Sequence, residues 1–167
     1  MDIRLITEKD IPKWGKLSSE HDNYVKKYYL GYTEWTTDIK QTPTYKKYLE
    51  SKVRNKEVYI LEDISGNCLG IISFSKKTNS ITFFGINQFE MNQNINIQII
   101  GNILLSHIKN ILDNEKKIHT KLIASGFNLI MQYRELFKEN GFRETGLVLK
   151  NGVPFLTFVK DSGKQGV

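Results

Sequence analysis

Side chains able to move a proton, attack an electrophile or bind a metal are few in this chain and widely spaced. Three histidines, His21, His107 and His119, stand apart with no ligand set at metal-binding spacing, so no metal site is expected. His107 falls on an apolar helical stretch, where a satisfied packing role is the ordinary one. The single cysteine, Cys68, sits in the apolar run Cys68-Leu69-Gly70-Ile71-Ile72. That setting suits a buried structural thiol better than a nucleophile, and one cysteine excludes an internal disulfide framework. Carboxylates able to accept a proton include Glu20 and Asp22 in an N-terminal helical region and Glu90 after a strand. Phenols gather at Tyr24, Tyr28, Tyr29 and Tyr32, beside Trp35, with Tyr24 and Tyr28 one helical turn apart. An aromatic lining of this kind suits a cationic or ring-bearing ligand. One further phenol, Tyr133, lies far along the chain.

Tyr133 belongs to the best-defined local pattern. Leu129, Tyr133, Leu136 and Phe137 recur at i, i+4, i+7 and i+8, one face of a helix for which Asn128 is a credible N-cap. Gly141 suits the left-handed C′ position, which places Phe137 and Phe142 at the pair whose apolar contact accompanies a Schellman cap. The stretch Glu135–Gly146 therefore ends a helix at Gly141-Phe142 and leads into a β-rich C-terminus.

Around it the chain alternates in period. A short strand, Ile3–Ile6, precedes a helix carrying Ile11, Trp14 and Leu17, with Thr7-Glu8-Lys9-Asp10 at its start. Residues 18–53 break into two further helical pieces. Val58–Asp63, Cys68–Ser75 and Ser80–Ile86 form an antiparallel meander with a turn at Ser65-Gly66-Asn67. Ile97, Ile100, Leu104, Ile108 and Ile111 make a helix packed on more than one side, although Ile95-Asn96-Ile97-Gln98-Ile99 alone alternates like a strand. Ile118–Ser125 is a strand, and Gly146–Lys150 with Phe155–Val159 a hairpin around Asn151-Gly152. The order is β-α-α-β-β-β-α-β-α-β-β: an α/β (α+β) domain over residues 1–160, with 161–167 a frayed polar tail.

At 167 residues the chain is long enough to bury a core without staples. Its net charge of +6 comes from dispersed lysine pairs such as Lys26-Lys27 and Lys116-Lys117, a solvated surface rather than a nucleic-acid stripe. Met1-Asp2-Ile3-Arg4 has no signal-peptide character and no window is apolar enough for a membrane span, so a soluble cytoplasmic protein is expected.

The element order and the Gly141-Phe142 helix ending resemble the GCN5-related N-acetyltransferases. The resemblance implies a central mixed, mostly antiparallel sheet of about seven strands flanked by helices, in which the fourth strand splays from the fifth. Acetyl-CoA, the co-substrate, wedges into that gap. By the same resemblance Phe84, Gly85 and Ile86 supply the strand edge, with Gly85 at a bulge. The pyrophosphate would meet a helix N-terminus through a loop reading Arg/Gln-x-x-Gly-x-Gly/Ala. That loop falls on Asn96, Ile97, Gln98, Ile99 and Gly101, where Gly101 keeps the pattern, Ile99 stands in place of a glycine and the basic residue is absent. Asn102, Ser125 and Phe137 complete the implied cofactor contacts.

The family's general acid is a tyrosine at the position of Phe137, which has no proton to give; Tyr133, one turn earlier on the same face, is the nearest phenol, with water as the alternative. Glu90 is the candidate base, and Glu20, Tyr24 and Tyr28 are candidate acceptor contacts. The resemblance implies direct acetyl transfer to a primary amine of a small molecule or peptide; separately, the C-terminal hairpin is a candidate edge for a homodimer. The alternative is a catalytically weak acyl-CoA-binding or regulatory module on the same fold.

Overall fold

The computed structural model describes residues 1–26, 43–88, 96–124, 128–150 and 153–163, with backbone alone at 24–26. Seven strands form one sheet in the order β1-β2-β3-β4-β5-β7-β6. These are β1 Asp2–Leu5, β2 Val58–Glu62, β3 Cys68–Ser75, β4 Ser80–Ile86, β5 Ile118–Ile123, β6 Phe142–Lys150 and β7 Val153–Lys160. Helices α1 Ile11–Lys26, α2 Pro43–Arg54, α3 Ile97–Ile111 and α4 Asn128–Glu139 complete the predicted order, with a 3-10 turn at Glu8–Asp10 ahead of α1. The alternation at residues 95–99 loses to the longer helical period, since α3 buries Ile100, Leu104, Leu105 and Ile108 together. No helix among the described residues is long and apolar enough to cross a membrane.

The period-two pattern of the central strands sends successive side chains to opposite layers. Ile60 and Ile71 join Trp14, Leu17 and Leu49 under α1 and α2. Leu61, Ile72 and Phe74 join the larger core under α3 and α4. Cys68 is half-buried at the margin of the smaller core. His107 stands edge-on to Tyr59 at 4.4 Å, and its buried Nε2 has no partner among the described residues, so the satisfied packing role expected for it is not seen there.

Two local devices fix the frame. Arg4 bridges β1 to the start of α1, with Nη1 donating to Asp10 Oδ2 at 2.8 Å and Nε to Glu62 Oε1 at 2.6 Å. Asp10 Oδ2 also accepts the Thr7 backbone N–H at 2.9 Å. The second device is Asn79, buried at φ +49°, a conformation asparagine tolerates better than most residues. Its Nδ2 donates to the carbonyls of Asp113 and Lys117 at 3.0 Å each, and its Oδ1 accepts from Asp113 N. Because His119 N also donates to the Asn79 carbonyl, this residue moors the start of β5 and the turn leading into it beside β4.

Strand β6 begins at Phe142, earlier than the expected Gly146, and carries a bulge between Glu144 and Gly146 that hid the alternation. The residues after β7 are tied back: Arg143 Nε pairs with Asp161 Oδ2 at 2.7 Å and Gly163 N donates to Asn114 O. The α4 ending follows expectation, with Gly141 at φ +91°, its N–H on the Lys138 carbonyl, and the Phe137 and Phe142 rings 5.8 Å apart.

Replacing Asn79 by alanine removes three buried hydrogen bonds, and the expected loss is about 2–4 kcal/mol in a urea titration. The Arg4 hydrogen bond holds the Asp10 carboxyl well below the usual carboxylate range. A depressed folded-state pKa contributes stability that is present above the unfolded value, near ~3.9, and is lost as pH falls through the folded one. Asp10→Asn is therefore expected to cost about 1–3 kcal/mol at pH 7 and to flatten the acid limb of stability below about pH 4.

Candidate functional site

Strands β4 and β5 run parallel and share one register pair, Ser80 with His119. A single side-chain bond, Thr120 Oγ1 to the Ile81 carbonyl at 3.3 Å, continues the contact before the strands part. The bulge that helps turn β4 lies opposite Ser73/Phe74, where Thr82 is the extra residue, and not at Gly85 as expected. Gly85 has another constraint: a Cβ there would come within 2.8 Å of the Phe83 ring and 3.1 Å of His21.

The opening lets helices from opposite faces of the sheet meet. Tyr133 on α4 is 1% exposed, and its hydroxyl accepts the Ile86 backbone N–H at 2.9 Å. The same hydroxyl lies 2.6 Å from His21 Nε2 on α1, while His21 Nδ1 lies 2.9 Å from the Leu17 carbonyl. A carbonyl only accepts, so Nδ1 carries the imidazole proton; in the neutral ring Nε2 then accepts, and the phenol donates to it. Burial raises the phenol pKa above its ordinary value, against a smaller lowering from the Ile86 N–H. The imidazole and phenol rings also stack at 5.9 Å, and Phe84 stands edge-on to Tyr133 at 4.9 Å.

Sequence reasoning treated His21 as isolated. Its partner is 112 residues away, and the one local hint is its position four residues after Leu17, which places its ring over the preceding turn of α1.

Beside this pair lies a cleft of about 960 Å³ between α1, α2 and the open face of β4, β5, β7 and β6. Its α-helical wall carries Asp22, Tyr45 and Tyr48. Burial raises both tyrosine pKa values, with hydrogen bonds to Ser18 and Thr82 acting in the opposite sense. Neither tyrosine was singled out from sequence. The sheet wall carries His119, Lys121, Thr157, Thr145 and, at its far end, Lys150. Burial and the charge of Lys150 lower the Lys121 ammonium pKa.

The remaining expected residues divide. Asn96 is the N-cap of α3, its Oδ1 accepting Ile99 N at 3.1 Å, so the presumed phosphate loop is already helix from Ile97. Gln98 donates to Glu139 Oε2 at 2.9 Å and Ile99 is 48% exposed. Gly101 is buried against α4, where an added Cβ would meet Leu136 Cδ1 at 2.6 Å; its missing side chain lets the two helices approach. Asn102 Oδ1 accepts from Asn140 Nδ2 at 2.8 Å. Phe137 lines the cleft floor and packs with Phe84 and Phe158 at 5.4 and 5.2 Å. Glu20 is half-buried on α1 and does not line the cleft. Tyr24 has backbone alone described, and Tyr28, Glu90 and Ser125 lie outside the described residues.

No protein-family model and no curated protein matches the chain. Solved structures do. An acetyltransferase of the GNAT family from Streptococcus agalactiae 2603 superposes with a TM-score of 0.65 at 15% identity, over 98% of this chain and 96% of that one. Spermidine N-acetyltransferase from Vibrio cholerae in complex with CoA and spermine gives 0.59 at 18% identity, over 98% and 96%. A GNAT-family acetyltransferase from Bacillus cereus ATCC 10987 gives 0.59 at 13%, over 96% of each chain. With the sheet order and the parting of β4 from β5 already in hand, these likenesses over nearly the whole length identify the fold as that of the GCN5-related N-acetyltransferases.

Proposed function

We propose that this chain is an acetyl-CoA-dependent N-acetyltransferase that acts on the primary amine of a small molecule or peptide. The observation that carries the reading is the Tyr133–His21 pair, set beside the opening between β4 and β5. Structural likeness to N-acetyltransferases, one of them a CoA complex, supports it at the level of the fold.

The residues present fit the arm of an acyl-CoA better than its phosphates. Strand alternation turns the Phe84 amide toward the same open edge as that of Ile86, so Phe84 is the main-chain group available for an amide-bearing arm, the Ile86 N–H being taken by Tyr133. At the phosphate end, the first N–H groups of α3, at Ile97 and Gln98, are the helix-terminal donors without a partner among the described residues once Asn96 caps Ile99. The first turn of α3 carries no basic side chain, and Gln98 is bonded to a carboxylate. Acetyl-CoA, when bound, supplies an activated acyl thioester and a thiolate leaving group.

The chain's own part is to handle protons. A raised pKa keeps the Tyr133 phenol protonated at neutral pH, ready to donate. Behind it, the Nε2 lone pair of neutral His21 takes the phenol proton when the tyrosine oxygen receives one from the acceptor amine, and returns it when the oxygen gives one up. The Leu17 carbonyl holds the ring in the tautomer that permits this. Asp22, on the same wall, favours approach of an ammonium group.

Tyr133→Phe is expected to lower kcat by about 10²–10⁴-fold, the usual weight of acid–base catalysis, with acetyl-CoA affinity by calorimetry retained. It also orphans the Ile86 N–H, an expected cost of about 1–3 kcal/mol that thermal unfolding measures separately. His21→Gln is expected to lower kcat in the same sense. Unchanged turnover in Tyr133→Phe removes the pair from the mechanism, and no binding at millimolar acetyl-CoA overturns the enzyme reading itself.

A further inference from the structure

We infer that the acceptor is an amine that also carries a carboxylate, its anionic end held by Lys121 and Lys150. The inference rests on the acetyl-transfer reading and narrows its substrate class. Among the described residues, the carboxylate and lysine side chains lining the cleft divide by wall: Asp22 on the helical side, Lys121 and Lys150 on the sheet side.

Strand alternation fixes the placement of Lys121. His119, Lys121 and Ile123 share the cleft face of β5, and Lys121 is paired across to Thr157 of β7. The Thr157 and Thr145 hydroxyls lie 2.8 Å apart on the neighbouring strands, so hydroxyl groups stand beside the ammonium. The next rung, Ile123 with Phe155 and Val148, is apolar, and Lys150 follows at the end of β6.

Among the described residues no carboxylate is paired with Lys121, and the charge it feels is that of Lys150. Two cations facing one cleft repel each other and any acceptor with a second positive charge. A carboxylate entering between them relieves that repulsion and gains charge-assisted hydrogen bonds. The opposite wall then presents Asp22 and the Tyr133–His21 pair to the amine of the same molecule. Opposite charges on the two walls of the cleft match a zwitterion.

The test compares each of a panel of L-amino acids with its decarboxylated amine, using acetyl-CoA and the full chain. We expect kcat/KM to favour the carboxylate-bearing member by about tenfold or more, the weight of one charge-assisted hydrogen bond, expressed in KM. In Lys121→Gln and Lys150→Gln that ratio should fall toward one. Equal or better turnover of the decarboxylated amines overturns the inference and leaves acetyl transfer standing. A loss of acetyl-CoA affinity on Lys121→Gln also overturns it, because the lysines then serve the CoA phosphates. No turnover of any amine with no acetyl-CoA binding overturns the acetyl-transfer reading, and the two failures are distinguished by calorimetry.

Discussion

One hydroxyl joins three elements of this fold. The Tyr133 oxygen takes the β4 amide of Ile86 and faces His21 Nε2, so α4, β4 and α1 converge on a single atom. Such a meeting requires a gap in the sheet, because α1 and α4 cover opposite faces. The gap exists because the parallel β4–β5 ladder stops after Ser80 and His119. Asn79, moored to the carbonyls of Asp113 and Lys117, fixes where the two strands begin to diverge. Buried polar groups of this sort are costly unless paired, and here each partner satisfies another.

Where the residues differ from those the resemblance implied, local packing and capping account for them. With a phenylalanine at 137, the aromatic position near the helix end becomes part of the packed floor, against Phe84, Phe142 and Phe158. The nearest phenol, Tyr133, lies one turn earlier on α4 with His21 against its hydroxyl. At α3, Asn96 and Gly101 serve the helix: one caps it and the other admits Leu136. The first turn of α3 carries no basic side chain.

Much of the architecture was legible because it is local. Strands β3 and β4 follow from alternation and turn residues to the residue, and the end of α4 follows from Gly141 and its flanking phenylalanines. Strand β6 was read short because a bulge at Glu144/Gly146 breaks the period on which such reading depends. Of the residues named from sequence, Phe84, Tyr133 and Phe137 do line the cleft, each placed by a local strand or helix period. His21, Tyr45 and Tyr48 escaped because their place on the cleft arises from packing between elements distant in sequence, which no spacing encodes. Lys121 and Lys150 looked like ordinary surface lysines until the sheet placed them on one wall.

The most direct check of the Tyr133–His21 pair is nitrogen NMR of the His21 imidazole in labelled protein, alone and with acetyl-CoA. The account predicts a proton on Nδ1, an Nε2 resonance of a hydrogen-bond acceptor that moves when acetyl-CoA is added, and loss of that acceptor signature in Tyr133→Phe. An Nε2-protonated ring, or a resonance indifferent to both acetyl-CoA and the substitution, would contradict it.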